Sequence, residues 1–106
     1  MRVTLLPEAM QELQALPEAE QAAMGTVIER LELWGEQLRF PYTSQVRGAR
    51  KLRELRPRGG RSAWRAFYRR VGQEWLIAAI GPEALADPQR FRRAVRLAEQ
   101  RLELAG

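Results

Sequence analysis

Residues 62–80 read SAWRAFYRRVGQEWLIAAI, and this stretch predicts two adjacent antiparallel strands. Side chains alternate before Gly72, so that Trp64, Ala66 and Tyr68 fall on one face of a strand. Gly72 begins a short turn of the kind that joins hairpin strands. The half after this turn is apolar almost throughout, and we therefore expect a central strand that is covered on both faces.

A third strand is predicted just before this hairpin, over residues 49–56, where Pro57 ends it. The glycine pair at 59–60 is interpreted as a two-residue hairpin turn. Because short turns join antiparallel neighbours, the three strands form a mainly antiparallel sheet. The predicted segments are a loop over 39–48 and strands over 49–56, 62–71 and 74–80.

Helix-start signals flank these strands on both sides. Pro7 and Pro17 are each followed by glutamate and alanine, which suits a first helical turn. The second of these helices is predicted to end at Gly35, and a short β-prone segment, 2–6, precedes the first. Asp87 followed by proline is a good N-cap and first-turn pair, so it predicts a last helix.

The order of elements is therefore β-α-α-β-β-β-α, which defines an α+β fold. We expect an N-terminal helical hairpin packed on a small twisted, mainly antiparallel sheet, with a C-terminal helix. A chain of 106 residues suits one domain, 1–106, and is long enough to bury a core without metal or disulfide.

Charge is strongly segregated along the chain. Residues 1–38 carry two basic and seven acidic side chains, residues 39–70 eleven basic and one acidic, and residues 71–106 five of each. The middle segment thus has a net charge of +10 in a protein whose total is +5. Because its basic residues alternate with apolar ones, it predicts a cationic face of a folded sheet, and the partner of such a face is most often nucleic acid.

The chain contains no cysteine and no histidine. This excludes disulfides, zinc sites made of these residues and a histidine general base, so we expect no metal and no cofactor. The sequence shows neither an apolar run of membrane-spanning length nor a signal peptide, and we expect a cytoplasmic protein with no membrane partner. Seventeen of the eighteen basic residues are arginine, which fits either a GC-rich or thermophilic genome or bidentate phosphate binding.

Four arginines on the first two hairpin strands are the candidates for phosphate binding: Arg53, Arg56, Arg65 and Arg69. Antiparallel neighbours lie about 4.8 Å apart, so these guanidinium groups can converge on one phosphate cluster. The alternatives are a solvated sheet face and a face that docks an acidic protein segment. Glu54 is interpreted as an ion-pair partner that orients the arginines.

The same residues resemble a known family. A strand containing Arg53-Glu54-Leu55-Arg56 followed, after a glycine-containing turn, by the run Trp64–Tyr68 is similar to the core signature of the RelE/HigB superfamily of toxin–antitoxin toxins. In that signature a strand ending Glu-Leu-Arg pairs with a strand of the form aromatic-Arg-apolar-apolar-Tyr. The HigB-like, phage-associated branch fits best, and the resemblance covers nearly the whole chain.

The resemblance implies a type II toxin that inhibits translation as a ribosome-dependent mRNA endonuclease. The implied reaction is metal-independent attack of a ribose 2′-OH on the adjacent phosphate. Arg56, Arg65 and Tyr68 match the motif and are the implied catalytic residues, although alternation also places Tyr68 in the core. RNA contacts are expected from the surrounding basic residues, which are Lys51, Arg53, Arg58, Arg61 and Arg69.

The implied partners are the ribosome, mRNA and a cognate antitoxin, expected to be a small helix-turn-helix protein. The oligomeric state stays open. The chain departs from the family at 81–89, where many members carry lysine or histidine and this sequence has no basic residue. The alternative is therefore a catalytically weak or inactive RelE-like module that binds RNA, DNA or an acidic partner protein through the same face.

Overall fold

The protein is described by a computed structural model that covers residues 1–105. Its elements follow the order of strands and helices expected from the sequence, with one additional strand. They are β1 (Arg2–Leu5), α1 (Pro7–Gln14), α2 (Glu18–Trp34), β2 (Thr43–Gln45), β3 (Arg53–Leu55), β4 (Trp64–Val71), β5 (Glu74–Pro82) and α3 (Pro88–Ala105).

Within the described residues, the strands form one five-stranded sheet in the order β1-β5-β4-β3-β2. β1 pairs with β5 in parallel, and the other neighbours are antiparallel. The prediction of an α+β fold with a mainly antiparallel sheet is therefore confirmed. β5 lies between β1 and β4 and is buried along nearly its whole length, as its apolar sequence indicates.

Two apolar layers enclose this sheet. Tyr68, Trp75 and Ile77 face a core that includes buried residues of α1 and α2, such as Met24 and Leu31. The opposite face of the sheet contacts α3 through a second core, which contains Phe67, Leu76, Ala78, Ala94 and Ala98. The alternation of β4 thus separates its side chains between the two layers, as predicted, because successive residues of a strand point to opposite faces.

The predictions were wrong around β2 and β3. Residues 43–45, predicted as loop, form β2 and pair with β3. The strand predicted over 49–56 is confined to Arg53–Leu55. The glycine pair at 59–60 is not a two-residue hairpin turn, because it belongs to a longer connection with a 3₁₀ turn at Pro57–Gly60.

The packing of α3 on the sheet depends on a close approach at Gly81. A Cβ atom at this position would lie 2.5 Å from Ala94 Cβ, which is far inside van der Waals contact. The start of α3 is fixed by Asp87, whose Oδ1 accepts a hydrogen bond from the Arg90 amide at 3.1 Å. This contact confirms Asp87 as the N-cap. No helix in the described part of the chain has the length and apolar character that crossing a membrane requires.

Candidate nucleic-acid interface

Arg65 lies on β4 and is almost completely buried, with 2% of its surface exposed. Its Nη1 donates hydrogen bonds to Ser62 O at 2.7 Å and to Trp64 O at 2.9 Å, and its Nη2 donates to Gly60 O at 3.3 Å. These bonds tie β4 to the connection that precedes it. The buried Nε has no hydrogen-bond partner among residues 1–105. Arg65 therefore holds its own main-chain surroundings together.

Two carboxylates face the Arg65 guanidinium. Glu54 Oε1 lies 3.6 Å from its Nε, and Glu83 Oε2 lies 4.0 Å from its Nη2. Glu54 is 8% exposed, and its Oε1 also accepts a hydrogen bond from Arg56 Nη1 at 3.2 Å. Burial, and then the positive charge of Arg56, lower the pKa of Arg65, while the two carboxylates oppose this effect. We call Glu54, Arg56, Arg65 and Glu83 the buried arginine cluster.

Of the two arginines in this cluster, Arg56 is the one that reaches toward the surface. Its Nε donates to Pro41 O at 3.0 Å, and its guanidinium carbon lies 5.0 Å from the centroid of the Phe40 ring. Gly60 has a φ of +93°, and a Cβ atom there would lie 2.5 Å from Arg56 Nη2. The positive φ therefore favours glycine in this turn, and an added Cβ would displace the end of the Arg56 side chain.

A cleft of about 1020 Å³ opens where β3 and the end of β4 meet the segment after α2. We call it the cationic cleft. Glu36, the one acidic residue in its described lining, forms an ion pair with Arg70. Five basic residues line the cleft, which gives it a net charge of +4: Arg39, Lys51, Arg53, Arg69 and Arg70.

Three aromatic residues contribute to the wall of the cationic cleft. Phe40 is 70% exposed, whereas Tyr68 and Trp75 are buried and pack edge to face with ring centroids 5.6 Å apart. The hydroxyl groups of Tyr68 and Thr43 form a hydrogen bond of 2.7 Å, and Arg53 Nε donates to Thr43 Oγ1 at 3.4 Å. Tyr68 thus packs in the core, as alternation predicts, and its hydroxyl contacts β2.

Two basic residues predicted to bind RNA lie apart from the cleft lining. Arg58 Nη1 donates to Glu20 Oε2 at 2.7 Å, and Ser62 Oγ donates to Glu20 Oε1 at 2.7 Å. Both bonds lower the pKa of Glu20, and the bond from Arg58 has the larger effect. Arg61 Nε donates to Arg58 O at 3.0 Å. Both arginines therefore stabilise the connection between β3 and β4 and its contact with the start of α2.

The four strand arginines do not converge on one surface, so that expectation was wrong. Arg53 and Arg69 line the cationic cleft, and Arg65 is buried in the arginine cluster with Arg56 beside it. Glu54 contacts both of these cluster arginines, as an orienting residue would. No group of three or more His, Cys, Asp or Glu side chains suited to a metal ion occurs within residues 1–105.

The sequence reasoning did not single out several residues of the two sites. Arg39 and Phe40 were assigned to a loop, although a cation beside an aromatic residue is itself a signal for nucleic-acid contact. Glu83 was not expected to contact Arg65. Trp75 was expected only in the core, and its place in the cleft wall depends on the position of the segment after α2.

Two solved structures share this fold. A double mutant of the E. coli toxin RelE in the free state aligns with a TM-score of 0.60 and 14% identity, over 90% of this chain and 94% of that one. A chain of the intact E. coli RelBE toxin–antitoxin complex aligns with a TM-score of 0.57 and 13% identity, over 77% and 95%. The fold is therefore that of a RelE-like toxin.

Residues 11–80 match the sequence profile of the family described as "Phage derived protein Gp49-like (DUF891)". The chain therefore belongs to this family, which is a RelE-like toxin family within the RelE/HigB superfamily. No curated protein sequence gives a significant match.

Proposed function

We propose that this chain is the toxin of a type II toxin–antitoxin pair and that it inhibits translation by cleaving mRNA on the ribosome. The observation that carries the proposal is the cationic cleft, whose described lining residues have a net charge of +4. Lys51, Arg53 and Arg69 are among these residues. Such an excess of positive charge in a concave surface attracts the phosphates of RNA. Membership of a RelE-like toxin family supports the same proposal.

The reaction we propose needs no metal. The 2′-oxygen of a ribose attacks the adjacent phosphate, a bond to phosphorus forms, and the bond from phosphorus to the 5′ oxygen breaks. Arg56, whose side chain is 20% exposed, would stabilise the added negative charge with its fixed fork of donors. Lys51 would hold the RNA phosphate as a cation, the 2′-OH proton would pass to solvent, and the departing 5′ oxygen would take a proton from solvent.

Arg65 has a different task in this proposal. Because it is buried and donates to three main-chain carbonyls, it cannot reach a substrate without the loss of these bonds. It would act as a positioning residue that holds Glu54, and Glu54 in turn orients Arg56. Tyr68 would similarly position Arg53 through Thr43.

A second candidate is a RelE-like module that binds RNA without cleaving it. The burial of Arg65 between two carboxylates favours this candidate, because the motif arginine is already neutralised within the protein. The absence of histidine from the sequence removes the commonest proton-transfer group.

Cleavage on programmed ribosomes separates the two candidates. Purified protein should cut mRNA within the ribosome, and Arg56→Gln should slow cleavage by about 100-fold or more, since one lost electrostatic donor costs this much in comparable sites. Arg92→Gln, an exposed arginine of α3, is the matched control and should leave the rate unchanged. If the wild-type protein and both variants leave the mRNA intact while RNA binding is retained, the endonuclease is rejected in favour of the binding module.

The toxin role also predicts a protein that neutralises it. We propose a small helix-turn-helix antitoxin encoded beside this chain, and both proteins in the cytoplasm. Inducible expression of this chain alone should arrest growth, and co-expression of the neighbouring open reading frame should restore it. Normal growth with the chain alone, at a verified protein level, would contradict the toxin role.

A further inference from the structure

We propose that a groove along the outer side of α2 docks an amphipathic helix of the antitoxin, with an acidic side chain of that helix facing Arg30 and a basic one facing Glu29. The groove has a volume of about 330 Å³ and lies between α2 and an opposite wall that contains Tyr42 and Arg58. It shares no described lining residue with the cationic cleft. This inference rests on the proposed function for the identity of the partner, and it adds the surface on which that partner docks.

α2 carries apolar residues on two of its sides. The inner side is buried in the core through Met24, Val27 and Leu31. An outer stripe ends at Leu33, which is 80% exposed, and Trp34 beside it is 56% exposed. A helix that packs on a single core is polar on its outer side, so an apolar outer stripe indicates a second packing partner.

The spacing of this outer stripe suits contact with a second helix. Its members recur three or four residues apart along the whole of α2, and they are Ala19, Ala22, Ala23, Thr26, Arg30 and Leu33. Residues at this spacing lie on one side of a helix, as the anchors of a helix-in-groove contact do. The stripe spans about 21 Å, because a helix rises about 1.5 Å per residue, and this length matches about four turns of a partner helix.

Arg30 gives the groove side of the stripe a positive charge. It is the only basic residue of α2, and no acidic residue lies three or four positions from it, where a helix forms its internal ion pairs. Its guanidinium carbon lies 4.4 Å from the centroid of the Tyr42 ring, which holds the cation at the groove. Arg30 forms no salt bridge within the described chain, whereas Arg58 in the opposite wall pairs with Glu20. The unpaired cation is therefore complementary to a carboxylate of the partner helix.

The other side of the stripe is acidic. Successive residues of a helix are rotated by about 100°, which places Glu18 and Glu29 on the side of the stripe away from the groove. Both side chains are exposed, and neither forms a salt bridge among residues 1–105. Two flanks of opposite charge select the direction of a docked helix, because the reversed helix would set like charges side by side.

A protein helix fits this groove better than RNA does, because the alanine and valine side chains of its α2 wall offer phosphates no hydrogen-bond donor. The opposite wall also supports Arg56. Tyr42 O accepts a hydrogen bond from the Arg56 amide at 2.8 Å, and Pro41 O accepts one from Arg56 Nε at 3.0 Å. A helix seated against Tyr42 therefore contacts the segment that holds the arginine of the proposed reaction, and this position suits a partner that regulates the toxin.

Titration calorimetry with the protein encoded by the neighbouring reading frame tests the groove. Ala22→Arg places a long side chain in the groove, and Gln100→Arg adds the same charge at an exposed position of α3 as the matched control. We expect Ala22→Arg to weaken binding at least about 100-fold and the control to change it by less than about twofold. Leu33→Gln alters only an exposed side chain, so it should leave the fold intact and weaken binding by about tenfold.

Charge reversal tests the complementarity of the flanks. Arg30→Glu sets a carboxylate against the acidic side of the partner helix and should weaken binding by about tenfold. Arg93→Glu makes the same change at an exposed position of α3 and should alter binding by less than about twofold. Equal binding by these two variants would overturn the assignment of an acidic side chain opposite Arg30.

Equal binding by Ala22→Arg and Gln100→Arg, or no complex with the wild-type chain, overturns the inference. A wild-type chain that dimerises by itself and becomes monomeric with Ala22→Arg also overturns it, because a second copy would then fill the groove. Growth assays separate the inference from the proposed function. A groove-dependent complex of a chain that does not arrest growth leaves the inference standing and rejects the toxin. Growth arrest that the neighbouring protein relieves equally for the wild-type chain and Ala22→Arg does the reverse.

Discussion

The buried arginine cluster and the cationic cleft use the same kind of side chain in opposite ways. In the cluster, Arg65 is enclosed by three carbonyls and two carboxylates, so its charge is compensated within the protein. In the cleft, Arg53 and Lys51 have no carboxylate partner within the described residues. The cluster stabilises the fold, and the cleft keeps its charge available for a ligand.

The difference shows why counting basic residues does not locate a binding site. A buried charge must be paired, because its desolvation is expensive, and a paired arginine offers little to a ligand. An arginine in an open cleft remains hydrated and can exchange water for phosphate. Substitutions in the buried arginine cluster should therefore mainly lower stability, whereas substitutions in the cationic cleft should mainly weaken binding.

The largest loss of stability is expected for Arg65→Met. This change leaves three carbonyl groups without their donor and removes one of the two arginines that face Glu54. Breaking a buried ion pair on one side costs about 3–5 kcal/mol. Urea denaturation measures the loss, and Arg53→Met is the matched control on β3. A midpoint equal to that of the control would contradict the structural role of Arg65.

Gly81→Ala should have the next largest effect, because Gly81 is the pairing partner of Arg65 on β5 and closes this end of the sheet. The added methyl group would collide with Ala94 of α3, and such overpacking costs about 1–3 kcal/mol. Thermal denaturation should show partial recovery when Ala94→Gly is added. Gly25→Ala, which meets open space in α2, is the control and should not destabilise the protein.

A smaller, pH-dependent effect is expected for Glu20→Gln. Arg58 and Ser62 hold the pKa of Glu20 below its usual value, so the carboxylate adds stability above its unfolded pKa. This stability is lost as the pH falls through the lower folded-state pKa. The pair is partly exposed, so the change should be about 0.2–1 kcal/mol at neutral pH. Melting temperatures should converge in acid, and a constant difference down to low pH would refute the assignment.

The smallest effect on stability is expected in the cleft. Lys51→Gln and Arg53→Gln should each change the unfolding free energy by no more than about 0.5 kcal/mol, because neither cation has an acidic partner to lose in the described chain. Arg56→Gln removes a contact to Glu54 and should cost more. If the cleft variants unfold as readily as Arg56→Gln, the contrast between the two regions fails.

Much of the fold could be predicted because its signals are local. The alternation of Trp64, Ala66 and Tyr68 predicted which face of β4 enters the core, and proline and aspartate predicted the helix starts. The strand at Thr43–Gln45 could not be predicted in this way. It is short and polar, and it is a strand only because β3 lies beside it.

The candidate site was predicted less completely, because its chemistry depends on contacts between distant residues. The sequence established a basic, partly aromatic segment, and its motif residues indicated the family. It could not show that Glu83 and the carbonyls of the preceding connection would enclose Arg65. Nor could it show that Phe40 and Trp75 would join the basic residues of the cleft.

By itself, then, the sequence determined the order of elements, the inward face of the central strands and the region that carries the positive charge. Periodicity and composition encode these properties, and both can be read from neighbouring residues. Only the tertiary structure decided which arginines are neutralised and which remain free. The reason is that an arginine is neutralised by acidic and carbonyl groups that folding brings to it from far along the chain. Burial then determines how much free energy it costs to leave any of these groups unpaired.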